Sequence, residues 1–263
     1  MRIAVASGKG GTGKTTVAVN LAVFNSTDLF DLDVEEPNDY IFVKGDVEER
    51  IAFRKVPKVK DNCNACGVCM DVCQYSAIYV VKRAYPLPEL CHSFGACVYL
   101  CPEKAMEEVD YQTGKMVRVR SDEITLTYGE LKIGEASGVF LIKQVKELMG
   151  SKAIIDSPPG VSCPMVESVS DADYVILVTE PTPFGLHDLK ISVEVVSEIG
   201  KKFGVVINKH GLPFDGVEKY CSEEGIEILG RIPFSKDIAE KYSRGELLRD
   251  MKEFFVQLYE VIV

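Results

Sequence analysis

A chain of 263 residues, 46% hydrophobic and 27% charged, can bury a sizeable core as one large domain or two modest ones. Its formal net charge of −10, with basic residues gathered only in short clusters such as Arg54 to Lys60, argues against nucleic-acid partners. No apolar run reaches the roughly eighteen residues of a membrane span, and the N-terminus opens on a strand-like segment without secretory-signal features, so a cytoplasmic protein without membrane attachment is expected.

The first strand-like run, Ile3 to Ala6, leads into Ser7–Thr16, read as SGKGGTGKTT, and Val17 to Val23 then opens a helix. Strand, glycine loop and helix is the setting in which Gly8-x-x-x-x-Gly13-Lys14-Thr15 has a purpose. Glycines let backbone N–H groups turn inward around phosphate oxygens, and the next helix adds its positive end. The candidate nucleotide loop is therefore Gly8, Lys9, Gly10, Gly11, Thr12, Gly13, Lys14, Thr15 and Thr16, with Lys14 reaching the β- and γ-phosphates and the Thr15 hydroxyl on Mg²⁺.

A single P-loop has no use for Lys9. With it, the loop resembles the deviant Walker A family, which includes MinD, ParA, the nitrogenase iron protein and Mrp-type carriers and carries the signature GKGGxGKT. The resemblance implies that Lys9 crosses a dimer interface to the partner's nucleotide.

Next comes Leu29 to Asn38, an apolar strand whose aspartates, Asp31 and Asp33, are expected on one side of its end. Alone they would merely close a strand. Beside a P-loop they resemble the family's switch segment, in which Asp33 would orient the attacking water and Asp31 would support the Mg²⁺ region.

Composition changes from Asn62. Of nine cysteines, seven lie between Cys63 and Cys101, a density that in a reducing compartment points to metal before disulfides. Cys63-x-x-Cys66-x-x-Cys69-x-x-x-Cys73 has the spacing of bacterial ferredoxins, and a partial second copy ends in Cys101-Pro102. Three thiolates on a tight loop can wrap one cubane while the fourth cysteine of each copy serves the other cluster. One 4Fe-4S cluster thus takes Cys63, Cys66, Cys69 and Cys101. Zinc is the alternative, but its sites usually show two separated pairs. The second site has only Cys73, Cys91 and Cys97, because Phe94 stands where the middle cysteine belongs. A 3Fe-4S cluster, a labile 4Fe-4S cluster with an open or exogenous ligand, and no cluster all stay open; His92, adjacent to Cys91, reads as a surface residue.

Beyond the cysteines, Gly129 to Gly134 reads as a strand into a turn and Gly138 to Leu148 as an amphipathic helix. Ala153-Ile154-Ile155-Asp156 is an apolar strand ending in the carboxylate that a Walker B element needs beside Mg²⁺. Gly160 matches the family's switch glycine. Cys163 stands at the interval of a cluster-ligating cysteine in the nitrogenase iron protein, but Glu135 occupies the turn where the second such cysteine would lie, so Cys163 reads as a buried or switch-region thiol. Cys221 receives no role. Tyr174 to Thr179 is expected as a strand, Asp188 to Ile199 as a helix and Gly204 to Asn208 as a strand. By the resemblance, Asn208 meets the adenine edge and Pro233 lines the base. The last helix, Leu247 to Ile262, lacks the basic excess of a membrane-binding helix and reads as core-packing.

From Ile3 to Phe234 the motifs resemble MinD superfamily P-loop ATPases containing an inserted ferredoxin domain. The resemblance implies an α/β P-loop NTPase fold with a mostly parallel doubly wound sheet over residues 1–57 and 111–263, carrying a two-cluster ferredoxin-like α+β module over residues 58–110. It implies a slow, partner-stimulated ATPase that works as a homodimer or a heterodimer with a similar ATPase. Nucleotide turnover would serve ATP-gated electron transfer toward a redox partner. The alternatives are an iron-sulfur carrier with a cluster-accepting partner and a nucleotide switch with structural clusters. Mrp-type carriers use a Cys-x-x-Cys pair in the second half of the chain, and none is present here.

Overall fold

The computed structural model describes all residues from Met1 to Val263. In chain order the strands are β1 (Arg2–Ala6), β2 (Leu29–Asp31), β3 (Asp46–Val59), β4 (Ile78–Val80), β5 (Ala84–Pro86), β6 (Met106–Arg120), β7 (Thr125–Leu131), β8 (Ala153–Asp156), β9 (Tyr174–Thr179), β10 (Lys202–His210) and β11 (Ile228–Pro233). The α-helices are α1 (Lys14–Phe24), α2 (Val68–Asp71), α3 (Ala96–Tyr99), α4 (Val139–Lys146), α5 (Cys163–Val169), α6 (Pro183–Glu198), α7 (Gly216–Glu223), α8 (Lys236–Ser243) and α9 (Lys252–Ile262).

Nine strands form one sheet in the order β11-β10-β9-β1-β8-β2-β7-β6-β3. From β11 to β7 every pairing is parallel, and β6 and β3 extend the sheet antiparallel. Side chains alternate across such strands, so Ile3 and Val5 enter the core on one face while Ala4 and Ala6 enter the core on the other. Parallel strands covered on both faces read as continuous apolar runs, which is why β1, β8 and β9 were legible. Helix α1 is buried from Lys14 to Val23, lying between the sheet and α9, where Phe24 meets Phe255 at 6.0 Å.

Four boundaries differ from the sequence reading. The strand expected over 129–134 is β7, ending at Leu131. Helix α6 starts at Pro183, not Asp188, because the Thr182 side chain caps Gly185 N–H and Pro183 suits a first helical position. The last helix opens with a separate 3₁₀ turn over Arg249–Met251. Strand β2 ends at Asp31, so Asp33 lies in the following loop and is not paired with Asp31 on the strand.

Strands β3 and β6, of 14 and 15 residues, pair along their length with one bulge beside Ala52. Beyond the sheet edge this ribbon carries a satellite unit with its own small core of Cys69, Ile78, Ala84 and Met106. The unit is an internal repeat at the level of the backbone. Ala65 and Ser93, Gly67 and Gly95, and Ser76 and Lys104 occupy matching positions, and all six have positive φ. Helices α2 and α3 start directly after the paired glycines. Left-handed residues are uncommon outside glycine, and their recurrence at matched positions gives both cysteine loops the same path.

Phe255 is fully buried where α9 seals α1 against the sheet. Phe255→Ala should lower unfolding stability by about 3–5 kcal/mol in chemical denaturation. A loss below about 1 kcal/mol would mean that α9 does not close this face.

Candidate functional site

The C-terminal edge of the parallel strands gathers the nucleotide residues. Register places Val5 of β1 and Asp31 of β2 both opposite Asp156 of β8, so the P-loop, the Asp31 loop and Asp156 start side by side. Gly11 and Gly13 have φ of 78° and 95°, values only glycine adopts without strain. A Cβ at Gly13 would collide with Asn208 and one at Gly8 with Asp188, whereas the space about Gly10 and Gly11 is open. The open side faces a cavity of 360 Å³ lined by Lys14, Thr15, Thr16, Asp33, Asn208, Pro233 and others.

Thr15 Oγ1 donates to Asp156 Oδ2 at 2.7 Å, leaving Asp156 Oδ1 buried with no partner. Asp31 accepts the N–H groups of Asp33 at 3.0 Å, Asn38 at 2.9 Å and Asp39 at 3.2 Å. Its carboxylate shapes the loop that presents Asp33 to the cavity. Asp39 escaped the sequence reading; it is fully buried, and neither of its carboxyl oxygens finds a donor. An aspartate eight residues beyond Asp31, at the start of a short 3₁₀ turn, carries no periodic signal, and only the fold returns it to this place.

Burial, then the charge of Asp156, pushes the Asp31 carboxyl well above its ordinary range. Burial followed by the charges of Asp31 and Asp156 does the same to Asp39. Asp156 is raised by burial against the opposing pull of Lys14. Asp33 is pushed up to about 6 by burial, again against Lys14. Four carboxyls are thus gathered at one edge of the sheet, and Lys14 opposes the effect of burial at three of them, Asp33, Asp39 and Asp156.

Lys9 turns to its own chain, where Nζ meets Glu180 Oε1 at 2.6 Å; Lys209 takes Oε2 at 2.8 Å and the Gly11 carbonyl at 3.2 Å. Against the effect of burial, Lys209 and Lys9 hold the Glu180 carboxyl below its ordinary range. The Asn208 amide is engaged with the P-loop, donating from Nδ2 to the Thr12 carbonyl at 2.8 Å while Oδ1 accepts Lys209 N–H. Gly160 has φ of 91°, and its N–H donates to the Ser7 carbonyl at 3.0 Å, tying the segment after β8 to the P-loop. In the cavity lining Pro233 is joined by Phe234, the next residue of the segment expected to line the base, and by Ile238 and Tyr242, which sequence reasoning missed. Phe234 follows β11 and is 65% exposed, leaving an aromatic face open beside the cavity.

Cys63, Cys66, Cys69 and Cys101 line one small cavity of about 20 Å³ in the satellite unit, and Cys73, Cys91 and Cys97 line another of about 30 Å³ with His92 and Phe94. Backbone N–H groups four residues on donate to Sγ of Cys73 and Cys101, from Ala77 and Ala105, each at 3.3 Å; Ser93 N–H reaches Cys91 Sγ at the same distance. Backbone N–H groups of Ala84 and Ala65 lower the Cys63 thiol, while burial raises Cys69 and pushes Cys97 up to about 11. No three His, Cys, Asp or Glu side chains converge on a single-ion site. His92 stacks on Tyr75 at 3.7 Å, and Phe94 is 74% exposed. Cys163, at the start of α5, is exposed rather than buried. Cys221 is fully buried as a member of the apolar core on one face of the sheet, and burial raises its thiol to about 11. Glu135 is also buried, bound to Arg54. No helix is long and apolar enough to cross a membrane.

Known proteins resemble this chain to different depths. An uncharacterized protein of Methanocaldococcus jannaschii is 31% identical over 99% of this chain and 95% of its own length. An iron-sulfur cluster carrier protein of the same organism is 24% identical over 93% of this chain and 76% of its own. The septum site-determining protein MinD of Pyrococcus horikoshii, complexed with Mg-ADP, superposes with a TM-score of 0.60 at 19% identity, over 99% of this chain and 95% of that one; at that identity the likeness is one of fold. The model of the CobQ/CobB/MinD/ParA nucleotide binding domain matches residues 3–248, from the first residues of β1 to the turn before α9, and the chain belongs to that family.

Proposed function

We propose that the chain is an Mg²⁺-dependent ATPase whose nucleotide site works together with an iron-sulfur unit over residues 58–110. The observation that carries the reading is the pair of cysteine cavities, four thiols in one and three in the other, on a ribbon hydrogen-bonded into the same sheet that presents the P-loop. MinD of P. horikoshii holds Mg-ADP on this fold, which supports Mg²⁺ and an adenine nucleotide as ligands here.

Phosphates would lie on the N–H groups of residues 8–16, with Lys14 against the β- and γ-phosphates. Thr15 and Asp156 fit Mg²⁺, since Asp156 Oδ1 is buried and without a partner. Bound there, Mg²⁺ supplies charge neutralisation between phosphate and carboxylate. Asp33 orients the water that attacks the γ-phosphate. Pro233 and Phe234 cover the base, and Asn208 fixes the loop that receives the phosphates. Lys9, released from Glu180, reaches the nucleotide of a second subunit, so turnover belongs to a dimer.

Cys63, Cys66, Cys69 and Cys101 would hold a 4Fe-4S cluster. Their shared lining of one cavity, the backbone donor on Cys101 Sγ and the ferredoxin-type spacing suit a polynuclear group better than zinc. Such a cluster supplies one-electron transfer. Cys73, Cys91 and Cys97 would hold a 3Fe-4S or labile 4Fe-4S cluster, because exposed Phe94 takes the place that Cys66 fills in the first repeat. A second reading, cluster delivery, is favoured by the resemblance to an iron-sulfur cluster carrier protein.

Lys14→Ala should abolish nucleotide binding. Lys9→Ala should leave binding by the monomer intact and remove turnover, as measured by equilibrium binding and phosphate release; wild-type turnover in Lys9→Ala would reject the dimer mechanism.

Without Mg²⁺ or nucleotide, the raised Asp33 carboxyl keeps in the fold a proton that the unfolded chain releases near 3.8. Its stabilisation is complete below that value and is lost as pH rises through about 6. Thermal denaturation in a chelator should therefore show that Asp33→Asn gains stability relative to the unmodified protein as pH rises over this range. Equal pH slopes would contradict the shift.

Anaerobic preparations should contain one robust 4Fe-4S cluster and a labile second site, with Phe94→Cys making the second site robust. Iron counting and electron paramagnetic resonance read this directly; two equally robust clusters in the unmodified chain would overturn the three-thiol assignment. Clusters that survive repeated reduction and oxidation support electron transfer, and clusters that pass to an apo-acceptor support delivery.

A further inference from the structure

A buried ion pair lies outside both sites and joins them. Arg54 stands on β3, in the ribbon that carries the cysteine unit, and Glu135 stands in the turn between β7 and α4. Their side chains are 3% and 1% exposed. Arg54 donates to Glu135 Oε2 from Nη2 at 2.7 Å and from Nε at 3.2 Å. The same guanidinium donates to two carbonyls of the second cysteine repeat, Cys91 from Nη1 and Pro88 from Nη2, both at 2.6 Å. Thr113 Oγ1 adds a bond to Glu135 Oε2, and the backbone bond from Ala136 N–H to the Glu89 carbonyl at 3.2 Å runs alongside. A planar, rigid fork that bonds a carboxylate on one side and two carbonyls on the other holds the three groups in one geometry. Apolar residues of similar volume often serve stability as well as a buried ion pair, so packing alone does not account for a charge here.

The other end of this connection is the loop that carries Asp33. Leu131 N–H donates to the Val34 carbonyl at 2.8 Å, and Val34 follows Asp33 directly. A Cβ at Gly129 or at Gly138 would collide with the Val34 side chain, so Val34 is seated without slack against both ends of the segment that holds Glu135. A shift of Asp33 and Val34 therefore moves that segment, and Glu135 with it. The first cysteine loop is held differently: Asn62 and Asn64 bond to Glu103, inside the unit.

We propose that Arg54 is a positioning residue that transmits nucleotide state from the Asp33 loop to the backbone of the second cysteine repeat. The responsive part of the unit is then the stretch from Pro88 to Gly95, and the Cys63–Cys69 loop stays unmoved. The inference rests on the proposed nucleotide site, and it does not require either cysteine cavity to be filled.

Hydrogen exchange by mass spectrometry on the anaerobically purified full chain, with and without Mg²⁺ and a non-hydrolysable ATP analogue, tests it. Protection over residues 8–16 reports binding, and a severalfold change in exchange over residues 88–95 without change over residues 63–69 is the expected result. In the double variant Arg54→Met with Glu135→Met, protection over 8–16 should persist and the response over 88–95 should vanish. Glu135→Gln, which keeps the shape of the pair and removes its charge, should weaken the response and serves if the double variant does not fold. Protection over 8–16 with no response over 88–95 in the unmodified chain overturns this inference alone, as does a response that survives in both variants. No protection over 8–16 overturns the nucleotide reading as well.

Discussion

Taking carboxyl groups out of water leaves three ways to settle them: a proton, a hydrogen-bond donor or a cation. Asp31, Asp39 and Asp156 are all buried at the C-terminal edge of the sheet, and Asp33 is half-buried beside them. Asp31 is met by three backbone N–H groups and Asp156 by Thr15, which leaves Asp39 and one oxygen of Asp156 without donors. Lys14 is the buried cation available to them. Strand register sets Asp31 beside Asp156, and the bonds from Asn38 and Asp39 N–H to Asp31 bring the following loop back to the same edge.

The same edge explains the placement of the loop glycines. Gly8 and Gly13 have no room for a side chain because α6 and β10 press against the P-loop, whereas Gly10 and Gly11 are free of neighbours and leave their backbone open to a ligand. One pair serves packing and the other serves access. Lys9 and Lys209 share Glu180, so the loop is also anchored by charge on the side away from the carboxyl cluster.

The satellite unit follows a different logic. Its apolar core holds four buried residues, one of them a cysteine, which is too little buried surface to order such a stretch by itself. Left-handed residues at matched places in each repeat, and N–H donors aimed at sulfur, shape its loops around the thiols. The Arg54–Glu135 pair and the β3–β6 ribbon attach the unit to the larger domain, so its orientation depends on groups that lie outside the cysteine motif.

Read alone, the sequence determined what short-range chemistry encodes. The P-loop, the apolar strand ending in Asp156 and the cysteine spacing each place their groups within a few residues, where backbone geometry is local and tertiary context has little to add. Apolar runs buried on both faces likewise made the parallel strands readable. Strands β3 and β6 were not, because Asp46–Val59 and Met106–Arg120 leave most positions of both strands at least partly open to solvent, which erases the contrast a core strand shows. Only the tertiary structure decided that Asp39 returns to Asp156, that Ile238 and Tyr242 stand beside the nucleotide cavity, that the Asn208 amide binds Thr12, and that Arg54 finds Glu135 across the fold. In each case the deciding partner lies far along the chain or in an irregular loop, so no periodicity announces it. The energy of a buried polar group depends on which groups the completed sheet brings within reach.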